Sequence, residues 1–349
     1  MAGKKGQGGI AGGRITAQDV AARAGVSIGT VSRVINSVPG VKPAIAAKVQ
    51  KAIDELGWSP NLAAQTIRAS SSRMIGFIFS DIRNPLYAMM TKGAEEVLSA
   101  RGYLLVTASS DGQAAKEVAL INLFKRRRAD GMILTVEREG DAEVNQTVSR
   151  ASMPYVMMER ELPIGGMSVG ADHYNGIRQA TDYLLGLGHR RIAVITGGRG
   201  TRVARDRMRA FQDSLAARGM APDDDLMKLD SFASEYGYRQ MSVLLGMRDP
   251  PTAVLSLGVR LLPGVVSGLR NLGKSYPDDV SLICSNDTDL ATMASPPITA
   301  VRYDAMALGR LAAEALLDRI GSGEALTSPL RIELATELVL RGSCRALTD

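Results

Sequence analysis

The chain contains 349 residues, of which 45% are hydrophobic, so it is long enough for two or three compact units with sizeable cores. No apolar run approaches the roughly 18–20 residues of a membrane span, and the first residues, MAGKKGQGGIAGGR, lack the apolar centre of a signal peptide. The two cysteines, Cys284 and Cys344, and the two histidines, His173 and His189, form no metal-binding motif. We therefore expect a cytoplasmic protein without metal or cofactor, in which both histidines are structural.

Positive charge is concentrated at the N-terminus. Residues 1–73 contain ten Lys/Arg and three Asp/Glu, whereas the rest of the chain contains 32 and 33. A basic module joined to a near-neutral body is typical of proteins that bind the DNA phosphate backbone. The Gly-rich tail, residues 1–13, is either a non-specific phosphate contact or an inert flexible segment.

Residues 14–58 predict three helices of the helix-turn-helix type. Thr16 can cap the first helix, with Asp19 three residues later, and Gly25 permits a tight turn. Ser27 can cap the second helix, and Pro43 suits the first turn of a third helix. In such a pair the second helix enters the major groove with its N-terminal side chains on base edges.

Arg33 is the strongest candidate for a base contact, because a guanidinium pairs with the O6/N7 edge of guanine. The alternative is an ordinary helical hairpin with a solvated polar face, and the local basic charge argues against it. The DNA-contacting candidates in this domain are Thr16, Ser27, Ile28, Gly29, Thr30, Ser32, Arg33 and Asn36.

The segment 59–73 is a separate, short pattern. Its helical part, Leu62–Ala69, is shorter than the about 12–15 residues below which isolated helices are marginal in water. We expect it to fold only against a partner.

Strands and helices alternate from Met74 onward. Apolar runs predict strands at Met74–Phe79, Tyr103–Ala108, Gly131–Val136, Tyr155–Glu159, Ile192–Thr196, Ala253–Leu257 and Ser281–Ser285. Helical patterns lie between them at Leu86–Arg101, Gln113–Arg128, Asp141–Arg150, Tyr174–Leu187, Val203–Arg218 and Leu261–Leu272. Two sets of alternating elements, before and after Asp172, predict two doubly wound α/β lobes with a ligand cleft between them.

This order of elements, with AGVSIGTVSRVIN, ELGWSPNLAAQTIR and MIGFIF, resembles the LacI/GalR family of bacterial transcription regulators from Arg14 to Ser343. The resemblance implies an N-terminal three-helix helix-turn-helix DNA-binding domain and a hinge helix. A two-lobed α/β periplasmic-binding-protein-like (type I) effector and dimerisation domain follows, residues 74–349. Its N-lobe would comprise about 74–171 and 303–331, and its C-lobe about 172–302 and 332–349.

In that family the hinge helix folds when two subunits meet on DNA, and a leucine wedges into the minor groove. Ile67 occupies the position of this leucine and is also apolar, although its branched Cβ can alter the DNA kink. The resemblance adds Asn61, Ala64 and Ile67 to the DNA-contacting candidates.

The resemblance also places an effector site in the cleft. Arg207 lies in RDRMRAF, which matches an Arg-x-x-Gly-aromatic pattern with Ala210 in place of the glycine. For the aromatic residues, packing in the core is the competing interpretation. The effector-binding candidates are Asn84, Leu86, Tyr87, Arg160, Arg207, Phe232 and Asn286.

The sequence departs from the family at three cleft positions. Gly258 and Val259 replace a usual Asn-Asp pair, and Asn286 replaces a ligand-binding Asp. Fewer acidic acceptors, and guanidinium groups that pair with carboxylate or phosphate, favour an anionic effector such as a sugar acid or sugar phosphate. The arginines in question are Arg160, Arg202, Arg205 and Arg207. A neutral sugar, or a degenerate pocket without a ligand, stays open.

The sequence thus predicts a ligand-controlled repressor of a catabolic operon, bound as a homodimer to a palindromic operator in the nucleoid. Few residues follow Ser343, so the apolar heptads that build tetramers are absent and a dimer is expected. A solute-binding or enzymatic module is the alternative, which the absence of a paired nucleophile and base argues against. Whether the effector releases or promotes DNA binding stays open.

Overall fold

The computed structural model describes residues 15–35, 38–58, 71–162, 166–322 and 330–347. The chain divides into two compact units, Met1–Ser72 and Arg73–Asp349. Within the described ranges, no helix is both long and apolar enough to cross a membrane. The same ranges contain no group of three or more His, Cys, Asp or Glu side chains that could hold a metal ion.

Three helices form the first unit: α1 (Ala17–Ala24), α2 (Ile28–Ile35) and α3 (Pro43–Leu56). The predicted start of α1 is confirmed, since the N–H and hydroxyl of Thr16 donate to Asp19 Oδ2 at 2.8 and 2.7 Å. Gly25 adopts a left-handed φ of +66° at the turn into α2. The Oγ of Ser27 then accepts a hydrogen bond from the N–H of Thr30 at 3.2 Å.

The core of this unit is small and apolar. Val20, Val31 and Val49, one from each helix, are fully buried, and Trp58 packs against them. Asn36 and most of the predicted hinge, residues 59–70 with Asn61, Ala64 and Ile67, lie outside the described residues.

Two six-stranded sheets build the second unit, one in each lobe. The N-lobe sheet is parallel throughout, in the order β11-β5-β4-β3-β1-β2. Its strands are β1 (Met74–Phe79), β2 (Leu104–Ser109), β3 (Gly131–Leu134), β4 (Tyr155–Met158), β5 (Met167–Ala171) and β11 (Leu330–Leu334). Its helices are α4 (Pro85–Ala100), α5 (Ala114–Arg126), α6 (Ala142–Arg150) and α12 (Ala305–Ser322).

The C-lobe repeats this arrangement in the order β12-β10-β9-β8-β6-β7, with only β12 antiparallel to its neighbour. Its strands are β6 (Ile192–Ile195), β7 (Met227–Lys228), β8 (Ala253–Ser256), β9 (Ser281–Ser285), β10 (Thr299–Arg302) and β12 (Glu337–Val339). Its helices are α7 (His173–Gly186), α8 (Arg202–Ala216), α9 (Ser234–Leu245), α10 (Leu262–Asn271) and α11 (Asp289–Met293). In both lobes the chain order of strands reverses beside the first strand, so a crevice opens at the carboxyl ends of the strands.

The chain crosses between the lobes three times. The first two crossings follow β5 at Asp172 and β10 near Tyr303. The third lies after Leu334 rather than near Ile332, because residues 330–334 pair with Met167–Ala171 and complete the N-lobe sheet. Five of these strands, β5, β7, β10, β11 and β12, were not predicted from the sequence, and the Gly-rich surroundings of the buried strand β5, GGMSVGADH, conceal it.

Candidate functional site

Helix α2 divides cleanly into a buried and an exposed face. Val31 is fully buried, whereas Ile28 is 41% exposed. Gly29, Ser32 and Arg33 are also exposed. The guanidinium of Arg33 forms no ion pair with any described residue, which leaves it available for a base or phosphate.

A cavity of about 370 Å³ lies between the two lobes, within the ~300–1,000 Å³ range of small-molecule pockets. All seven residues that the sequence analysis assigned to the effector site line it: Asn84, Leu86, Tyr87, Arg160, Arg207, Phe232 and Asn286. They follow the carboxyl ends of strands in both lobes or begin the next helix, so the sheet topology brings them together.

Arg207 and Asn286 carry hydrogen-bond donors that the described protein does not use. Arg207 is 5% exposed and donates from Nη1 to the carbonyl of Leu257 at 2.7 Å, but its Nε has no partner within the described residues. Burial lowers the pKa of Arg207 to about 10, so the group still carries its charge at neutral pH. The Nδ2 of Asn286 is likewise buried and forms no hydrogen bond of standard geometry within the described ranges, although the Tyr303 hydroxyl lies beside the Asn286 side chain. Buried unpaired donors beside a cavity are suited to a ligand oxygen.

The inner wall is a pair of buried polar side chains, Glu159 and His173. His173 Nε2 lies 2.5 Å from Glu159 Oε2, and the other carboxylate oxygen accepts from the N–H of Ala171 at 2.8 Å. Burial opposes ionisation of Glu159, but His173 and Arg202 outweigh this cost and lower the pKa of Glu159 to about 2. Tyr303 packs edge-to-face against His173, with 5.7 Å between ring centroids. Glu159 and His173 therefore satisfy each other by hydrogen bonding and do not present an open donor or acceptor to the cavity.

Three carboxylates at the rim of the cavity are neutralised by basic neighbours. Asp81 accepts from Arg83 at 2.8 Å and from Arg260, and the hydrogen bond from Arg83 is the main cause that lowers the pKa of Asp81. Asp111 pairs with Lys116 at 2.5 Å, and Asp230 pairs with Arg199 at 2.9 Å. These ion pairs leave the rim without a strong net charge.

Two of the four arginines on which an anionic effector was predicted, Arg202 and Arg205, do not face the cavity. Arg202 is almost fully buried and pairs with Asp206 at 3.1 Å and Glu333 at 3.3 Å, while Arg205 pairs with Glu139 at 2.9 Å. Neither lines the cavity, because the N-terminal turn of α8 turns both toward acidic partners.

Arg160 does line the cavity, but two of its N–H groups are used by backbone carbonyls. Its Nε donates to Val136 at 2.6 Å and its Nη1 donates to Glu159 at 2.9 Å. The lining includes the acidic residues Asp81, Asp111, Glu137, Glu159 and Asp230 beside the basic residues Arg83, Arg160, Arg207 and Arg260. Because acidic and basic side chains are nearly equal in number in this lining, the cavity has no electrostatic preference for an anionic ligand.

Gly258, one of the departures from the family pattern, has a steric role. A Cβ at this position would lie 2.8 Å from Cδ1 of Phe232. The glycine therefore allows the aromatic ring to lie against the strand end and line the cavity.

Several lining residues were not predicted, namely Asp81, Glu137, Glu159, Arg260 and Tyr303. Asp81, Glu137 and Glu159 follow β1, β3 and β4 within a few residues, so their position after a strand was a usable signal. Tyr303 follows β10 directly and Arg260 follows β8 by four residues, so the same signal applied to both.

Comparison with known proteins identifies both parts of the chain. Residues 16–61 match the family model of bacterial regulatory proteins, lacI family, and residues 181–344 match a periplasmic binding protein-like domain. The HTH-type transcriptional regulator CelR of Thermobifida fusca is 34% identical over 338 residues, which cover 95% of this chain and 98% of that protein.

Two solved structures share the architecture. A complex of the transcriptional regulator CelR with cellobiose is 32% identical, with a TM-score of 0.71, and the match covers 95% of this chain and 100% of that chain. The Lac repressor dimer bound to operator and the anti-inducer ONPF has a TM-score of 0.83 at 24% identity, with 96% of this chain and 100% of that chain covered. The second likeness supports the fold, a helix-turn-helix domain followed by a two-lobed periplasmic-binding-protein-like domain.

Three observations lead to one assignment: the exposed face of α2, the cleft between two doubly wound lobes and the extent of the match to CelR. The chain belongs to the lacI family of bacterial regulatory proteins and is a transcriptional regulator that binds DNA through its N-terminal helix-turn-helix domain.

Proposed function

We propose that this regulator is a homodimeric repressor whose binding to a palindromic operator is controlled by a small saccharide in the cleft between the lobes. The observation that carries the proposal is the pair of buried, unpaired donors, Arg207 Nε and Asn286 Nδ2, beside a cavity of about 370 Å³. Sugar hydroxyls are natural acceptors for such donors, and aromatic side chains such as Phe232 pack against the apolar face of a sugar ring. The cellobiose complex of CelR supports a sugar as the ligand class.

Each segment has a role in this proposal. Residues 14–58 bind DNA, residues 59–73 are the hinge, and residues 74–349 bind the effector and dimerise. Arg33 contacts a base, with Ile28, Gly29, Thr30 and Ser32 beside it on α2, and Ile67 wedges into the minor groove. Thr16, Ser27, Asn36, Asn61 and Ala64 complete the DNA-contacting set.

Coupling between the sites follows from the small stability of the hinge. Closure of the cleft on a ligand changes the angle between the lobes, which moves the N-lobes of a dimer relative to each other. That movement allows or forbids the pairing of two hinge segments. Because a helix of this length has little stability alone, a coupling of roughly 1–3 kcal/mol is sufficient to change operator occupancy substantially.

The proposed activity consists of binding alone, without catalysis, and takes place in the cytoplasm where the DNA lies. It is tested by selection from a library of randomised DNA duplexes at physiological salt, with and without cellobiose and ribose. We expect a recurrent palindrome whose recovery changes when one of the sugars is added. Recovery of DNA without a common sequence would contradict the operator-binding role.

A further inference from the structure

The peptide group between Val136 and Glu137 is held from both sides by buried ionisable side chains. Arg160 Nε donates to the carbonyl oxygen of Val136 at 2.6 Å, and Glu117 Oε1 accepts from the N–H of Glu137 at 2.9 Å. Arg160 is 7% exposed and Glu117 is 1% exposed. Burying an ionisable group costs free energy. Two such groups, Arg160 and Glu117, clamp this one peptide group by hydrogen bonds and fix the position of Glu137.

Glu117 is itself fixed beneath the loop. Ser110 Oγ donates to the same carboxylate oxygen at 3.3 Å, and burial is the main cause that raises the pKa of Glu117. The backbone of Glu137 therefore cannot shift without disturbing both α5, which carries Glu117, and the end of β2. Such support by neighbouring polar groups is characteristic of pre-organised binding residues.

The side chain at this clamped position has no partner. Glu137 is half-buried, lines the cavity and lies over Gly112, where a Cβ would be 3.5 Å from the carboxylate carbon. Its carboxylate forms no hydrogen bond or ion pair with any residue that the structure describes. Asp81, Asp111, Glu159 and Asp230, the other acidic lining residues, all have partners.

The cavity thus presents unpaired donors from one lobe and an unpaired acceptor from the other. Arg207 Nε and Asn286 Nδ2 can each donate to a ligand oxygen, whereas the Glu137 carboxylate can only accept. A hydroxyl group serves both kinds of partner, since it donates and accepts. A ligand carboxylate or phosphate near Glu137 would face a like charge.

We propose that Glu137 is a specificity-determining acceptor for a sugar hydroxyl, and that it selects neutral saccharides against sugar acids and sugar phosphates. This inference rests on the proposed saccharide effector. It identifies the charge class of the ligand and the residue that enforces it.

The test compares the full-length protein with Glu137→Gln, Glu137→Ala and the control Glu143→Gln, an exposed glutamate on α6 of the same lobe. Calorimetric titrations use glucose, glucuronate, glucosamine, ribose and cellobiose as probes. We expect a neutral probe to bind the unaltered protein most tightly. Glu137→Ala should weaken that binding by roughly 10- to 100-fold, in line with the loss of a charged hydrogen-bond partner, and Glu143→Gln should leave it unchanged.

Glu137→Gln supplies a readout that a purely structural role would not produce. It preserves the shape of the side chain and an acceptor oxygen but removes the negative charge. The affinity for glucuronate relative to glucose should therefore rise by roughly 10-fold, as expected when one modest charge–charge repulsion is removed. An unchanged ratio, or tightest binding of glucuronate to the unaltered protein, would overturn the assignment. Tightest binding of glucosamine would overturn the neutral class.

The outcomes distinguish failure of the role assigned to Glu137 from failure of the proposed saccharide effector. If a sugar binds equally well to the unaltered protein and to Glu137→Ala, only the role of Glu137 is refuted. If none of the five probes binds the unaltered protein, the saccharide effector and the inference that depends on it are both refuted. Circular dichroism of each variant shows whether the fold is retained.

Discussion

Arg260 of the C-lobe donates a hydrogen bond to Asp81 of the N-lobe across the mouth of the cleft. Both side chains are mostly buried and line the cavity. Further ion pairs cross between the lobes, among them Arg205 with Glu139 at 2.9 Å, Arg331 with Asp206 at 3.0 Å and Arg202 with Glu333 at 3.3 Å. The lobes are therefore held together by charges whose partners lie on opposite sides of the cleft.

Removal of the Arg260 guanidinium should loosen this contact. We expect Arg260→Gln to increase the radius of gyration of the ligand-free protein in X-ray scattering. The free energy of unfolding should fall by no more than about 1 kcal/mol, as for other partly exposed ion pairs. Arg83→Gln is the matched control, because Arg83 pairs with Asp81 within one lobe. Identical scattering from both variants would show that the cross-lobe pair does not limit opening.

Replacing Arg207 should lower the affinity for the effector without lowering the stability of the fold. It is buried with an unpaired Nε, so Arg207→Met removes a desolvated charge and should leave the free energy of unfolding unchanged or raised by about 1 kcal/mol. Affinity for the effector should fall by at least about 10-fold, because a charged donor is lost. Denaturant unfolding and calorimetry measure the two effects, and a large loss of stability would indicate a structural role instead.

Glu159 should make the protein sensitive to acid. Its pKa falls from an ordinary 4.5 to about 2 in the folded state, so its ionised form stabilises the fold above pH 4.5. That contribution is lost as the pH falls from 4.5 toward 2. Glu159→Gln should therefore show a shallower decline of unfolding free energy over this interval than the unaltered protein. Glu143→Gln is the control, because Glu143 is exposed. Its unfolding free energy should decline over this pH interval as that of the unaltered protein does.

Arg33 should control sequence preference rather than general affinity for DNA. Its guanidinium is exposed on α2 and has no ion-pair partner in the described part of the chain. We expect Arg33→Ala to lose about 1–3 kcal/mol of discrimination between operator and random DNA while salt-sensitive binding to both persists. Fluorescence anisotropy with the two duplexes measures the difference, and an equal loss on both would assign Arg33 to the phosphate backbone.

Ile67 should act on the DNA side only. Replacing it with glycine removes the proposed minor-groove wedge and lowers the helix propensity of the proposed hinge, so operator affinity should fall by about 10-fold or more. Effector affinity should stay the same when measured by calorimetry without DNA. A parallel fall in both affinities would place Ile67 outside the DNA-side hinge.

Local patterns in the sequence determined the helix-turn-helix domain and most of the two lobes. Capping by Thr16, the turn at Gly25 and the alternation of apolar strands with helices depend on residues close together in the chain. The seven predicted effector residues also meet in one cavity, since strand ends gather at one edge of a parallel sheet.

Only the tertiary structure decided which charges face the cavity. Arg202 and Arg205 lie within five residues of Arg207 in the sequence, yet Asp206, Glu333 and Glu139 neutralise them away from the cavity. Glu137 gains its importance from Arg160 and Glu117, which are distant in sequence and clamp its peptide group. Burial and pairing depend on contacts between remote segments, so a sequence pattern reveals a charge but not its partner.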